Sequence, residues 1–190
     1  MHISEGTLSA PVLLGCGVLA AGGVAIGLAK LDEKSMVQTA VVSSALFVAT
    51  LIRVPIGPSS AHLVLNGLAG MMLGWRAFPA FAVAFLLQAF IFSIAGFSTL
   101  GVNIVMMATP GVALGLLLRP VARRASYRIA VAAGAAAGAL AIFLSGVILA
   151  AVLITTGSEF RSVAGAVLLA HITIMVVEGI ETGGAVEFLR

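Results

Sequence analysis

Charged side chains are scarce in this chain: ten Lys and Arg and seven Asp and Glu among 190 residues, 9% of the whole. Soluble domains carry roughly 25%, so too few charges are present to clothe a water-facing surface, and a soluble globular protein is excluded. Cysteine is nearly absent. The single Cys16 sits in an apolar run, which excludes an internal disulfide. Lysine occurs only at Lys30 and Lys34, and neither follows a glycine-rich loop. A phosphate-binding loop needs Lys and Ser or Thr after such glycines, so ATP hydrolysis by this chain alone is excluded. Acidic residues are also wanting inside the apolar runs, where a proton- or ion-coupled carrier ordinarily places them. Glu178 and Glu181 come nearest, beyond the last run. The net charge of +3 reflects which loops carry the basic residues and gives no reading of nucleic-acid binding.

What fills the chain instead is apolar sequence, 61% of residues, with a mean hydropathy of +1.21. The runs are continuous rather than alternating, which points to helices and away from a β-barrel. They fall near 8–29, 36–52, 61–73, 78–95, 102–118, 129–155 and 162–177. Between them, Arg53–Ser60 contains Pro55 and Pro58 and cannot be regular helix. Trp75-Arg76 reads as an interfacial anchor, and Arg119-Pro120 as the end of the fifth run. At about 20 residues per span, the expectation is an all-α polytopic integral membrane protein with seven transmembrane helices, one domain over residues 1–190. With seven spans, Lys30, Lys34, Arg76, Arg119, Arg123, Arg124, Arg128 and Arg190 share one side, and Arg53 and Arg161 the other. The positive-inside rule then expects the N-terminus outside and the C-terminus in the cytoplasm. No cleavable signal is expected, since His2 and Glu5 stand where a signal carries basic residues.

The start of the chain has its own chemistry. The Met1 amine, the peptide nitrogen of His2 and the His2 ring Nδ1 can chelate one ion through a five-membered and a six-membered ring. Binding through a deprotonated peptide nitrogen favours late first-row metals, and nitrogen-rich planar sites suit Ni(II) and Cu(II), with Co(II) next. On the expected topology His62 shares the outer face with Met1 and His2 and offers a fourth nitrogen. The segment before His62 is irregular, which a membrane protein tolerates where it lines a cavity. His171 lies in the last run and reads as a buried histidine bonded to a neighbouring helix. Glu178 and Glu181 read as solvated residues at the inner end. Met71-Met72 and Met106-Met107 read as gap-filling core. Small residues recur at four-residue spacing, as Gly17, Ala21, Ala25 and Ala29, as Ala130, Gly134 and Gly138, and as the pair Ala45 and Ala49. Such stripes let helices approach closely.

Several stretches together resemble the CbiM/NikM family: Met1-His2-Ile3 with Glu5-Gly6, Gly57-Pro58-Ser59-Ser60-Ala61-His62-Leu63, Leu73-Gly74-Trp75, Leu100-Gly101-Val102-Asn103, and Pro110-Gly111. The family supplies substrate-capture (S) components of energy-coupling-factor (ECF) transporters for cobalt and nickel. The resemblance implies a seven-helix fold whose N-terminal segment, residues 1–7, enters the core from outside. It implies a metal site built from the Met1 amine, the His2 backbone nitrogen and ring, and the His62 ring, with Asn103 and Ser60 behind these ligands. The bound species would be the transported Co(II) or Ni(II), cobalt before nickel because Glu5 is similar to the cobalt branch, and no organic cofactor is expected. Implied partners are a membrane coupling (T) subunit, ATP-binding subunits and a small accessory membrane subunit, in the prokaryotic plasma membrane. The rival function is a self-sufficient secondary permease or channel for the same metals.

Overall fold

A computed structural model describes Ile3, Gly6 and residues 8–51, 53–56, 59–92, 96–156 and 161–188. Met1, His2, Glu5, Gly57, Pro58, residues 157–160 and Arg190 lie outside the described residues, as does the side chain of Ser60.

The apolar runs form helices. α1 is Ala10–Ala29, with Pro11 in its first turn, where a missing amide donor costs nothing. α2 is Glu33–Leu51. Its start is fixed by a reciprocal cap: the Ser35 amide donates to Asp32 Oδ1 (2.7 Å) and the Asp32 amide to Ser35 Oγ (2.9 Å). Hydrogen bonding from the Ser35 hydroxyl, and then from the Ser35 amide, holds the Asp32 carboxyl below the usual carboxylate range. The proline-bearing segment becomes a small antiparallel hairpin, β1 Arg53–Ile56 and β2 Ser59–His62, with Arg53 opposite His62. Next comes α3, Asn66–Leu73, joined by a single 3-10 turn at Gly74–Arg76 to α4, Ala77–Phe92. Gly74 takes φ +57°, a conformation glycine enters without penalty. α5 is Leu100–Arg124, α6 Tyr127–Thr156 and α7 Arg161–Phe188.

The expectation of seven transmembrane helices is corrected. Among the described residues five helical units are long and apolar enough to cross a bilayer: Ala10–Ala29, Glu33–Leu51, Asn66–Phe92, Phe97–Arg124 and Tyr127–Ile154. Arg161–Phe188 is a sixth helix outside that group. The run at 61–73 is not a span of its own. It opens in strand, and the eight residues of α3 rise only about 12 Å, against a hydrocarbon core of about 30 Å. α3 and α4 instead follow one another without a loop as the unit Asn66–Phe92. The placement of the N-terminus outside and the C-terminus in the cytoplasm was derived from seven crossings and falls with them. Two boundaries also move. α5 continues through Pro120 to Arg124, and α7 continues eleven residues past Val177, to Phe188.

Phe81, Phe85, Leu46, Met106, Met107 and Ile142 are the largest apolar side chains sealed in the core, so the methionine pair at 106–107 is core as expected. α3 packs against α5 and α6, and α7 packs chiefly against α6. Glycine makes these contacts close. A Cβ on Gly70 would lie 1.8 Å from the Gly111 carbonyl oxygen, and one on Gly67 would lie 2.5 Å from the Gly138 Cα. The stripe Ala130, Gly134, Gly138 faces inward, against Thr182, Val186 and Glu178 of α7. On α1 the buried residues are Ala20, Gly23 and Gly27, whereas Ala21, Ala25 and Ala29 are exposed. Leu14, Val18, Leu19, Phe90, Leu169 and Ile180 are exposed as well, an exterior suited to lipid.

Gly70→Val should lower the thermal midpoint of the detergent-solubilised protein markedly, because the added carbons meet backbone that cannot yield. Overpacking typically costs about 1–3 kcal/mol. Gly22→Ala, where a Cβ meets nothing within 4 Å, should leave the midpoint unchanged. Differential scanning fluorimetry on both variants checks the contrast.

Candidate metal-binding site

His62 is the last residue of β2 and is 3% exposed. Its Nδ1–H donates to the Leu63 carbonyl at 3.1 Å. A carbonyl can only accept, so Nδ1 carries a proton, and the tautomer with that arrangement presents its lone pair on Nε2, the form a histidine needs as a metal ligand. The chain then turns sharply. Leu65 has φ +53°, an uncommon state for a bulky residue that persists only where surroundings enforce it. Those surroundings are polar and buried. The Val64 and Leu65 amides both donate to Glu178 Oε1, the Leu65 bond at 2.8 Å. The carboxylate thereby serves as a cap for α3 supplied by another helix.

Asn66 continues the anchorage. Its Nδ2 donates to Ser145 Oγ (2.9 Å) and to the Met107 carbonyl (3.3 Å), and its Oδ1 accepts from the Gly67 amide (2.9 Å). Ser145 Oγ in turn donates to the Met106 carbonyl (2.9 Å). The segment after His62 is therefore pinned to α5, α6 and α7 at once.

The N-terminal segment is pinned to α5 as well. Ile3 is 4% exposed and belongs to the main core cluster. Its amide donates to Asn103 Oδ1 at 3.0 Å, across a hundred positions of sequence. Asn103 is wholly buried, and its Nδ2 donates to Thr99 Oγ1 at 3.4 Å. Asn103 and Met107 are four residues apart, about 6 Å along the axis, on successive turns. Adjacent turns of α5 thus hold the residue after His2 and the residue four beyond His62.

Of the residues expected at the site, His62 and Asn103 are both buried and bonded, while Met1, His2 and the Ser60 side chain lie outside the described residues. Among the described residues no three His, Cys, Asp or Glu side chains converge on a point. The expectation for Glu178 is corrected. It is fully buried in the middle of α7, whereas Glu181 one turn on is half-buried. Because α7 continues beyond its apolar run, Glu178 is enclosed by the helices around it and faces Val64 and Leu65. The signal that marked it was weak: an acid beside Gly179, with Thr182 and Gly183 at helical spacing. His171 is buried as expected, its ring against Gly146 of α6.

Comparison with known proteins bears on what this arrangement serves. A solved structure of a truncated transition-metal transporter superposes on the whole chain with a TM-score of 0.83, covering 98% of that structure at 24% identity, a likeness of fold. A Haemophilus influenzae protein named for metal transport is 39% identical over all of this chain and 93% of its own length. A fused nickel transport protein of Rhodobacter capsulatus is 37% identical over 58% of this chain, which covers 34% of that longer protein. The model of the CbiM family, described as the cobalt uptake substrate-specific transmembrane region, matches residues 2–190, and the chain belongs to that family.

Proposed function

We propose that this chain is the substrate-specific component of an ATP-driven ECF-type importer, capturing a divalent transition metal, cobalt before nickel, at the outer face of a prokaryotic plasma membrane. The ligands would be the Met1 amine, the His2 backbone nitrogen and ring, and His62 Nε2. One observation carries the reading: successive turns of α5 hold the two segments on which these ligands sit, through Asn103 to Ile3 and through Met107 to Asn66. Such anchorage supports a nitrogen-rich site held ready for the metal, and raw affinity in such a site favours nickel over cobalt, so geometry and supply must set the choice. ATP hydrolysis would reside on separate subunits coupled through a membrane partner and, where present, a small accessory membrane subunit. In this reading the whole chain reorients to deliver its ion.

Four measurements test the proposal. His62→Ala should abolish tight Co(II) binding in isothermal titration without unfolding the protein, and wild-type affinity in that variant would remove His62 from the site.

An N-terminal extension should also block binding, since it converts the Met1 amine to an amide, whereas a C-terminal tag should not. Equal affinity in both tagged forms would mean that the amine is not a ligand.

Asn103→Ala leaves the buried Ile3 amide without its acceptor, a cost of about 1–3 kcal/mol. If that cost falls on the bound geometry, Co(II) affinity drops roughly tenfold to a hundredfold. Titration of the variant reads this directly, and unchanged affinity would separate Asn103 from the site.

Ala25→Leu on the exposed face of α1 should prevent co-purification with the coupling subunit and reduce cellular cobalt uptake while sparing metal binding. Uptake by this chain expressed without ATP-hydrolysing partners would instead favour the self-sufficient permease.

A further inference from the structure

The peptide unit between Leu63 and Val64 is gripped at both ends. Its carbonyl accepts the Nδ1–H of His62, and its N–H donates to the buried carboxylate of Glu178. The same Oε1 also accepts from the Leu65 amide. Carboxylate, peptide and imidazole thus form one hydrogen-bonded chain that runs from Glu178 to the His62 ring. We infer that Glu178 is a positioning residue for metal capture, holding and polarising the Leu63–Val64 peptide that orients the His62 ring. The inference rests on the reading of His62 as a ligand.

Three further observations support it. Glu178 is 0% exposed, and its hydrogen bonds among the described residues are those to the Val64 and Leu65 amides; its Oε2 has no protein partner among them. A buried acid is costly and is seldom retained merely to fill space. Next, Leu63, Val64 and Leu65 offer no side chain able to cap α3, and no side-chain bond caps it at Leu65. The capping group comes instead from α7, which aligns the α3 start with α6 and α7 rather than with its own loop. Finally, Glu178 is itself rigidly placed. A Cβ on Gly138 of α6 would lie 2.2 Å from the Glu178 carbonyl oxygen, so the two helix backbones touch at this level.

The chemistry follows a general pattern. A metal-bound histidine ordinarily donates its second nitrogen to a carboxylate or carbonyl, which fixes the ring and raises its basicity, and loss of that outer group weakens metal binding about 10–100-fold. Here the carboxylate acts through one peptide unit. Hydrogen bonds in such a chain polarise one another, so the Leu63 carbonyl becomes a stronger acceptor than an isolated one.

A double-mutant cycle tests this on the full chain with a C-terminal tag, titrated with Co(II) and Ni(II), and with the d–d absorption of bound Ni(II) recorded. Glu178→Leu should weaken binding about tenfold to a hundredfold and shift the absorption. In a His62→Ala background, where the weak residual binding is read by competition with a chromophoric chelator, the same change should have no further effect. Glu178→Gln keeps an oxygen acceptor for the two amides but not the charge; it should lose only a fewfold in affinity and keep the wild-type absorption shape. If Glu178→Leu does not fold, the Gln variant in the two backgrounds carries the cycle. Equal losses with and without His62, or wild-type binding in both Glu178 variants, would overturn the inference. Metal binding unaffected by His62→Ala would instead overturn the reading of the site, and the two failures are told apart by that single variant.

Discussion

A backbone that leaves the helix inside a membrane protein exposes amides and carbonyls that water cannot reach, and each must find a partner from the protein itself. This chain meets that demand between His62 and Gly67. The hairpin ends, Leu65 enters a left-handed conformation, and α3 begins without a local cap. Glu178 takes the Val64 and Leu65 amides, and Asn66 spreads its three bonds over Gly67, Met107 and Ser145. Asn103 serves the Ile3 amide in the same manner. Side chains of α3, α5 and α7 therefore stand in for solvent at these backbone groups.

The close glycine contacts are the steric counterpart of that arrangement. Lipid tails are as apolar as leucine, so helices in a bilayer associate through fit rather than through exclusion of water. Gly67 against Gly138 and Gly70 against Gly111 bring α3 onto α6 and α5 at backbone distance. Only at that separation can the Asn66 amide reach the Met107 carbonyl on α5 and Ser145 on α6 together. Small residues and buried polar groups, which the sequence scatters through different runs, turn out to be one construction.

Much of this was legible in the residues. The lack of charge fixed the class, the two prolines predicted a break at Arg53–Ser60, and His62 and Asn103 stood out by type and position. The span count was not legible, because hydropathy sums composition and does not see that Ser59–His62 is strand or that Gly74 joins α3 to α4 within one turn. Glu178 escaped for a related reason. An acid at the edge of an apolar run looks solvated until the helix is known to continue to Phe188. Spacing placed the α6 glycines correctly on a packing face, but on α1 the same spacing picked Ala21, Ala25 and Ala29, whereas the residues buried there are Ala20, Gly23 and Gly27. Four-residue periodicity marks a stripe without saying which side of the helix meets a neighbour.

Of the five apolar helical units α1 is the least enclosed, with 17% of its apolar stretch buried compared with 61% for the unit containing α5. It is also the helix that carries Ile3 and whatever precedes it. Its hold depends on Gly23 and Gly27 against Phe78 and Pro79, and on Gly17 against Gly101, contacts of shape for which surrounding amphiphiles compete directly. Extraction chemistry thus becomes a variable of binding. A small, short-chain detergent would wedge into this seam before it reached α3, α5 and α6, separating Ile3 from Asn103 while helicity stayed intact. Preparations that look folded by circular dichroism could then differ widely in metal affinity, and nanodiscs or long-chain detergents would be the faithful medium.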